Sequence, residues 1–508
     1  MKTIKTILSS SILLPIVSAI MLGLTRTTLP LDMLVFVAFV PLFYFFETTF
    51  TAKNKMLFLS GAIFSTIYML VSQHWITLVT PGGFIGMLFI FAAVFGLMFI
   101  VVAKMYRRKP FLYPLSLIFI WLTFEYIINF SEFRFPWFNI SYGLKNSLSL
   151  LQVLEFGGVF FASFLILLVN YLFYLGMTIK RKVFIYGFVM LLLWFFLGNV
   201  RLRHVSEHSQ DTDFTISLIQ GNIEQDLKWE QDMQDETFYI YETLSREVSA
   251  EHSPDLIVFP EAALPVHLLY ERLYFHWMMN LVNELQTPIY TGFPHYEMEF
   301  KYDGQDSPFL YFNAANLFTS QGYDYDKNYY KNILVPFGER TPLLHVFPIL
   351  WKIQMGQANF EMGAEMVRYT VDDYSFMPLI CFEVAFPLFI ADNVREHDPD
   401  FILNITNDAW FYRSMGTHQH GKMAVFRTIE TRKPIFRVAN TGYTFWTTPD
   451  GKMHQTTQLF ERTTITGNLE TYDTKTPFVS YGYRIPLIFI LLFTGQILHT
   501  FILLFTKG

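Results

Sequence analysis

Eight long apolar runs constrain this chain more than any other feature of its sequence, and seven of them lie before residue 200. The hydrocarbon core of a bilayer takes about 20 apolar residues per helix, so the runs predict eight transmembrane helices, the seventh of them short. The first run could also be a cleaved signal peptide, but a second span follows almost at once and favours a retained helix. The predicted spans are Ile7–Leu24, Leu29–Phe46, Met56–Val79, Phe84–Ala103, Phe111–Phe130, Gly158–Met177, Val183–Leu197 and Ile485–Phe505.

Basic residues in the short loops between these runs predict the orientation, because cytoplasmic loops carry an excess of Lys and Arg. With the N-terminus inside, the outer loops before the seventh helix hold only Arg26, Arg134 and Lys145. Seven crossings then place the region from about residue 200 to residue 484 outside the cytoplasm. The basic residues of the inner segments are Lys2, Lys5, Lys53, Lys55, Lys104, Arg107, Arg108, Lys109, Lys180, Arg181 and Lys182.

Composition agrees with a chain that lies partly in lipid, since 52% of residues are hydrophobic and 16% are charged. Soluble domains are nearer to a quarter charged. The net charge of -6 gives no indication of a nucleic-acid partner. A single cysteine excludes internal disulfides and metal sites built from several cysteines.

The region between the seventh and eighth spans has a different pattern, in which short β-branched or aromatic runs alternate with helical periodicity. This predicts a layered α/β domain, and its length of about 280 residues is ample for a full core. The expected domains are residues 1–199 with seven helices, residues 200–484 as the extracytoplasmic domain, and residues 485–508 with the eighth helix. Strands are predicted at 214–219, 256–259, 288–292, 376–380 and 401–405, and a helix at 266–286.

Three polar residues, Glu261, Cys381 and Asn407, follow predicted strands. Strand ends are rigidly held, and α/β enzymes assemble their sites there. A lone cysteine is more often a small buried hydrophobe, but a thiol with a base and a nearby cation can become a nucleophile. Glu261 could serve as that base, and Lys331 could place positive charge at a developing oxyanion.

Metal and cofactor chemistry find little support in the sequence. His418 and His420 could share one face of a strand as metal ligands, but no third ligand presents itself. There is no Gly-rich phosphate loop and no Gly-x-Ser-x-Gly elbow, which argues against nucleotide use and against a serine hydrolase. We therefore expect neither a metal nor a cofactor.

The chain resembles the nitrilase superfamily in the order of three residues and in the short motifs around them. These residues, Glu261, Lys331 and Cys381, match the Glu-Lys-Cys triad of that superfamily. With the flanking helices, the chain as a whole resembles the apolipoprotein N-acyltransferase family. The further motifs that carry this resemblance are Gln220-Gly221-Asn222, Lys228-Trp229, Pro136-Trp137, Asn407-Asp408-Ala409-Trp410-Phe411 and Asn440-Thr441-Gly442.

The resemblance implies an αββα sandwich on the outer face of the bacterial cytoplasmic membrane and a protein that acts as a monomer. It implies transfer of an acyl chain from a phospholipid onto a cysteine, and then onto the α-amino group of the diacylglyceryl-cysteine of an apolipoprotein. Glu261 would be the base, Lys331 the stabiliser of the tetrahedral intermediate and Cys381 the nucleophile. The supporting residues would be Glu339, Glu383 and Phe382, and the substrate-binding residues Trp229, Trp410, Asn407 and Trp137.

One position departs from the family pattern, because the residue after the cysteine is commonly Tyr and is Phe382 here. Its backbone N–H can still serve an oxyanion hole, but the hydroxyl is missing. Two other functions remain open from the residues alone. One is a membrane-tethered nitrilase-type amidase, which would show the same triad. The other is a transporter or receptor with an extracytoplasmic binding module, which should show polar or broken helices near mid-membrane.

Overall fold

The computed structural model describes residues 12–108, 113–225, 227–299, 309–347, 359–482 and 484–505. These residues divide into two compact units. The helical unit comprises Met1–Ser131, Phe135–Arg203 and Tyr481–Gly508, and the sheet unit comprises Glu132–Arg134 and His204–Ser480.

Helices make up nearly all of the regular structure in the helical unit. The α-helices are Leu13–Leu24, Val40–Thr49, Asn54–Ser72, Ile76–Val79, Pro81–Arg108, Tyr113–Ile127, Leu148–Leu151, Leu154–Thr178, Val183–His208 and Arg484–Phe505. The last residues of Val183–His208, from His204 onward, belong to the sheet unit. Short 3-10 helices lie at Asp32–Phe36, Pro136–Phe138 and Ile140–Leu144.

Five helical segments among the described residues are long and apolar enough to cross a membrane. Three shorter apolar helices are Leu13–Leu24, Leu115–Ile127 and Arg484–Gln496. Parts of the first and fifth predicted spans, residues 7–11 and 111–112, lie outside the described residues. The five long segments are Asp32–Thr49, Asn54–Ser72, Pro81–Tyr106, Leu154–Thr178 and Val183–His208.

Two predicted spans contain backbone breaks that the sequence did not indicate, and the sixth predicted span starts at one. The second begins as the 3-10 helix Asp32–Phe36 before the α-helix Val40–Thr49, and the third ends at Ser72 before a separate turn at Ile76–Val79. Within Leu154–Thr178, Gly157 and Gly158 leave helical geometry, with φ 61° at Gly158. Hydropathy records apolar side chains and not backbone dihedrals, which explains why the runs look continuous.

Over residues 185–200, the exposed side of the helix Val183–His208 is apolar. Its exposed large side chains include Ile185, Tyr186, Phe188, Leu192, Phe196 and Leu197, each between 57% and 67% exposed. Soluble proteins rarely leave such a continuous apolar surface uncovered. Inside the helical unit, the buried Glu125 accepts hydrogen bonds from Trp121 Nε1 at 2.9 Å and from the Ile140 N–H at 2.8 Å.

Two β-sheets form the centre of the sheet unit. Their strands are β1 Gln210–Gln220, β2 Leu256–Val258, β3 Ile289–Met298, β4 Phe309–Thr319, β5 Gly322–Tyr323, β6 Tyr329–Tyr330, β7 Tyr369–Val371, β8 Tyr374–Ile380, β9 Phe401–Thr406, β10 Ile435–Ala439, β11 Phe445–Thr447, β12 Met453–His454 and β13 Thr463–Thr471. In the first sheet, the strand order is β13-β1-β2-β3-β4-β5, with β6 paired to β4, and in the second sheet it is β12-β11-β10-β9-β8-β7.

The alternation of side chains along each strand explains the layers, because successive residues point to opposite faces of a sheet. In β2, Leu256 and Val258 join a core shared with β8, β9 and β10 of the second sheet. Ile257 points the other way, into a core with the helices Gln231–His252 and Arg272–Leu285. The helices Pro387–His397 and Met415–Thr431 pack on each other, and the latter contacts β10. A further α-helix among the described residues is Pro477–Tyr481, and 3-10 helices lie at Tyr325–Lys327, Cys381–Ala385 and Asp408–Phe411.

The five predicted strands correspond to β1, β2, β3, β8 and β9, and the predicted helix at 266–286 is the shorter Arg272–Leu285. Strands β8, β9 and β10 are parallel, as are β1, β2 and β3. Two packed sheets with helices therefore form the layered α/β architecture that the sequence predicts for this region.

Candidate active site

The carboxyl ends of parallel strands collect the polar residues that the sequence singled out. Glu261 lies three residues after β2, Cys381 follows β8 directly and Asn407 follows β9 directly. The backbone N–H of Asn407 donates to Glu261 Oε2 at 2.8 Å. This bond links the end of a strand in one sheet to the end of a strand in the other.

A buried network of opposite charges surrounds Glu261. Lys331 Nζ lies 3.5 Å from Glu261 Oε1 and 2.8 Å from Glu339 Oε1. Asn313 Nδ2 donates to the same two oxygen atoms, at 2.7 Å to Glu261 and 3.2 Å to Glu339. Lys331 is 1% exposed and Glu261 6%. Buried charges are costly unless they are paired and hydrogen-bonded, and this arrangement satisfies both conditions.

Gly292 on β3 leaves room for the turn that carries Glu261. A Cβ atom at Gly292 would lie 2.8 Å from the backbone nitrogen of Ala262 and 3.0 Å from Glu261 Cα. Only glycine lacks that atom, so β3 can approach the turn closely and support the position of the carboxylate.

Cys381 begins the 3-10 helix Cys381–Ala385, with a left-handed φ of 51°. This conformation is uncommon for a residue with a side chain, and such strain clusters at functional sites. Burial raises the pKa of the thiol, Glu261 raises it further and Lys331 acts against both. The thiol is therefore protonated at rest and needs a base to become a nucleophile.

Two buried lysines differ in their electrostatics. Burial alone would lower the pKa of Lys331, but the carboxylates of Glu339 and Glu261 outweigh it and raise the pKa above its ordinary value. Burial lowers the pKa of Lys228 to about 8, and its Nζ donates to the Glu261 carbonyl oxygen at 3.4 Å. Lys331 is therefore a permanent cation at neutral pH, whereas Lys228 is closer to titration.

Glu383 connects the strand before the thiol to the segment after the buried lysine. Its Oε2 accepts from the Ile380 N–H at 2.6 Å and from the Tyr329 hydroxyl at 2.8 Å. Its Oε1 accepts from the N–H groups of Asn332 and Ile333, at 2.6 and 3.2 Å. The side chain is fully buried, and its bonds fix the spacing between the two segments.

The predicted substrate-binding residues of the sheet unit differ in exposure. Trp229 is 46% exposed and Trp410 is 36% exposed, so both indoles are accessible. Asn407 is buried, and its Nδ2 donates to Gln225 Oε1 at 2.6 Å. Phe382 is buried and packs its ring against Phe386, with centroids 5.0 Å apart.

Trp137 belongs to the helical unit, within the 3-10 helix Pro136–Phe138. It is 1% exposed, stacks on Phe135 at 4.8 Å between ring centroids and lies near Trp75 at 6.1 Å. These contacts describe a packed aromatic residue, and its predicted role in substrate binding stays a prediction.

The strand assumed for the two histidines is wrong. His418 and His420 both lie in the helix Met415–Thr431, where residues two apart point to different sides. Among the residues that the structure describes, no group of three or more His, Cys, Asp or Glu side chains is arranged to hold a metal ion.

Asn313 is the residue of this network that the sequence analysis missed. It lies on β4, within a mostly apolar run, and donates to both Glu261 and Glu339. A polar side chain inside a buried strand needs partners, and that requirement was the available signal. Its strand is distant in sequence from Glu261, so spacing alone could not show the contact.

Comparison with known proteins defines first the class of the domain and then the family of the chain. Residues 215–475 match the family model described as carbon-nitrogen hydrolase, so the sheet unit is a domain of that class. Residues 18–172 match the apolipoprotein N-acyltransferase N-terminal domain. The chain belongs to the apolipoprotein N-acyltransferase family, and the resemblance stated from the motifs is confirmed.

Curated relatives match nearly the whole chain. The apolipoprotein N-acyltransferase of Geobacter metallireducens is 32% identical over 491 residues, which cover 92% of this chain and 91% of the relative. That of Chlorobaculum tepidum is 25% identical over 510 residues, covering 94% of each. A solved CN-hydrolase superfamily protein from Xanthomonas campestris is similar at 15% identity and a TM-score of 0.38, covering 51% of this chain and 91% of that one.

Proposed function

We propose that the protein is an N-acyltransferase that completes the acylation of bacterial lipoproteins. The acyl chain would come from a membrane phospholipid, pass through a thioester on Cys381, and end on the α-amino group of the N-terminal diacylglyceryl-cysteine of an apolipoprotein. The observation that carries this proposal is the buried Glu261–Lys331 pair whose charges act on the Cys381 thiol, in a chain of this family.

In the first half-reaction, Glu261 accepts the thiol proton and Cys381 Sγ attacks the ester carbonyl of the phospholipid. Lys331 and the backbone N–H of Phe382 stabilise the oxyanion of the tetrahedral intermediate. When the intermediate collapses, Glu261 returns the proton to the departing alkoxide. A lysophospholipid leaves, and a thioester remains on Cys381.

In the second half-reaction, the amine of the apolipoprotein attacks the thioester carbonyl while Glu261 accepts a proton from the amine. The carbon–sulfur bond then breaks, the amide is released and the thiol regains its proton. The exposed indoles of Trp229 and Trp410 offer apolar contacts for the lipid chains of either substrate. Glu339 and Glu383 hold Lys331 and the thiol segment through the bonds described above.

The experiment that tests this function is intact-mass measurement of the purified protein after exposure to phospholipid vesicles. We expect one acyl-sized increment, which disappears when a diacylglyceryl-cysteine peptide is added and reappears on that peptide as an amide. Release of free fatty acid with no acylated peptide would favour the membrane-tethered amidase instead. Absence of any covalent increment would contradict the covalent mechanism.

We further propose that the chain acts as a monomer with eight transmembrane helices in the bacterial cytoplasmic membrane, and that the sheet unit lies on the periplasmic side. Five long apolar segments, three shorter ones and the apolar exposed side of Val183–His208 support the membrane placement. The alternation of basic loops supports the orientation.

Cysteine accessibility tests this orientation in intact spheroplasts. In a Cys381→Ala background, we expect an impermeant thiol reagent to label Met298→Cys and to spare Lys104→Cys until the membrane is broken. Both side chains are exposed in the structure, so the protein itself does not shield either position from the reagent. A difference in labelling between the two then reports on the membrane. Labelling of Lys104→Cys alone would reverse the proposed topology.

A further inference from the structure

Three buried charged or titratable side chains lie behind the thiol and take no part in the chemistry proposed above. They are Asp408, in the 3-10 helix after β9, His420, in the helix Met415–Thr431, and Arg437, on β10. Each is at most 1% exposed. Burial of such groups is costly, so their presence next to the nucleophile calls for an explanation.

The three residues form a chain of contacts that ends on the backbone of the nucleophile. Arg437 Nη2 donates to Asp408 Oδ2 at 2.7 Å, and Asp408 Oδ1 lies 2.8 Å from His420 Nδ1. His420 Nε2 lies 3.1 Å from the carbonyl oxygen of Cys381. Burial opposes the charged form of Asp408, but Arg437 and His420 outweigh it and hold the pKa of Asp408 well below its ordinary value.

Acceptors face both ring nitrogens of His420, the Asp408 carboxylate at Nδ1 and the Cys381 carbonyl at Nε2, so both contacts are hydrogen bonds together only when both nitrogens carry a proton. A carbonyl oxygen only accepts, so the contact with Cys381 is a hydrogen bond only when Nε2 carries a proton. Arg437 Nη2 lies 3.1 Å from His420 Nδ1 and can donate to it in that tautomer. A second proton on Nδ1 would add a bond to Asp408 and leave the bond to the Cys381 carbonyl in place.

Close packing keeps this chain of contacts in one arrangement. A Cβ atom at Gly442 would lie 2.5 Å from Asp408 Oδ2, so only glycine at that position leaves space for the carboxylate. Arg437 Nη1 also donates to Asn404, whose Nδ2 donates to the Leu379 carbonyl at 3.3 Å. The same arginine therefore supports β8 just before the nucleophile.

The Cys381 carbonyl shares a planar peptide unit with the N–H of Phe382, and in a trans peptide the two point in opposite directions. A donor that fixes the carbonyl consequently fixes the direction of the N–H. The carbonyl bond also polarises the peptide, which strengthens the N–H as a donor. Through this unit, a residue that never touches the substrate can act on the oxyanion.

We propose that His420 is a positioning residue: by donating to the Cys381 carbonyl, it holds the Cys381–Phe382 peptide so that the Phe382 N–H faces the developing oxyanion. This inference rests on the proposed acyl transfer and deepens it. Asp408 and Arg437 hold the imidazole in place, and the left-handed backbone at Cys381 is the conformation that they support.

The kinetic test compares three variants of the full-length protein. Because the site loses an aimed oxyanion donor, we expect His420→Leu to lower kcat for acyl transfer by roughly 100-fold, with KM within about twofold of wild type. His420→Gln retains an N–H donor, so we expect its loss in kcat to be about tenfold or less. His418→Leu, on the same helix, is the matched control and should stay close to wild type.

Two further measurements separate positioning from a merely structural role. Alkylation of Cys381 by iodoacetamide develops no oxyanion, so we expect its rate in folded His420→Leu to remain within about threefold of wild type. Because Cys381 is the only cysteine, cysteine labelled with carbon-13 at the carbonyl marks a single backbone carbonyl. Its infrared band should move to higher frequency in His420→Leu and stay in place in His418→Leu.

An unchanged carbonyl band in His420→Leu, or equal losses of kcat in the Gln and Leu variants, would overturn the proposal. If His420→Leu does not fold, His420→Gln carries the test, because its labelled carbonyl must keep the lower, hydrogen-bonded frequency. If the proposed function itself is wrong, the measurements give a different result. Wild type itself would then form no acyl-enzyme, while the labelled carbonyl would still report on His420.

Discussion

Replacement of Cys381 by alanine is expected to abolish acyl-enzyme formation and transfer to the apolipoprotein together. The chain has no other cysteine, so no second thiol can take over. Cys381→Ser should also lose activity, by on the order of 10⁴-fold or more, because a hydroxyl is far less acidic than a thiol and Glu261 is a weak base for it. Intact mass and a lipopeptide transfer assay measure the two half-reactions separately.

Alkylation at raised pH provides the control for this prediction. Wild type and Glu261→Gln both retain the thiol, so a small alkylating reagent should modify both at Cys381 while acyl transfer by Glu261→Gln is severely slowed. Cys381→Ser cannot be alkylated there. Substantial transfer by Cys381→Ser, or an acyl adduct mapped to another residue, would refute the thioester mechanism at Cys381.

Lys331→Ala is expected to lower turnover by about 100-fold to 1,000-fold, the range for the loss of one donor at an oxyanion. Lys331 is a buried cation held by Glu339 and Glu261, so its charge is already in position when the intermediate forms. The same substitution leaves two buried carboxylates without their cation. We therefore expect lower thermal stability as well, and turnover must be measured on the folded fraction.

Lys327→Ala is the matched control for the lysine prediction. Lys327 lies four residues earlier, is exposed, and its Nζ is 3.5 Å from Asp324. Exposed ion pairs contribute little to stability, so this variant should keep both its turnover and its unfolding temperature. Near-normal acyl transfer by folded Lys331→Ala would remove that lysine from the proposed mechanism.

Much of the sheet unit was predictable because local pattern and tertiary structure agree there. The strands that precede Glu261, Cys381 and Asn407 are short apolar runs that end at a polar residue, and the structure has strands β2, β8 and β9 at those places. Parallel neighbours bring the ends of such strands to one edge of a sheet. Asn407 and Glu261 follow strands of different sheets, so their contact also requires the two sheets to pack against each other.

The remaining features depend on contacts that no local pattern encodes. Asn313 reaches Glu261 across 52 positions of sequence, and Arg437 reaches Asp408 across 29. The breaks before Val40 and after Ser72 depend on backbone dihedrals, which hydropathy does not register. His420 was interpreted on a strand, whereas the structure has a helix there, because alternating and helical spacing are hard to separate over three residues.

The pairing of β1 with β13 has a consequence for how the protein is made. Thr215 and Asn468 are neighbours across these strands although 253 residues separate them. At a synthesis rate of about 5–20 residues per second, roughly 10 to 50 seconds pass between the synthesis of β1 and that of β13, and one edge of β1 stays unpaired during this time. An unpaired strand edge invites aggregation, so the nascent sheet unit carries that risk until Thr463–Thr471 has been made. A chain that stops before Thr463 would never close that edge.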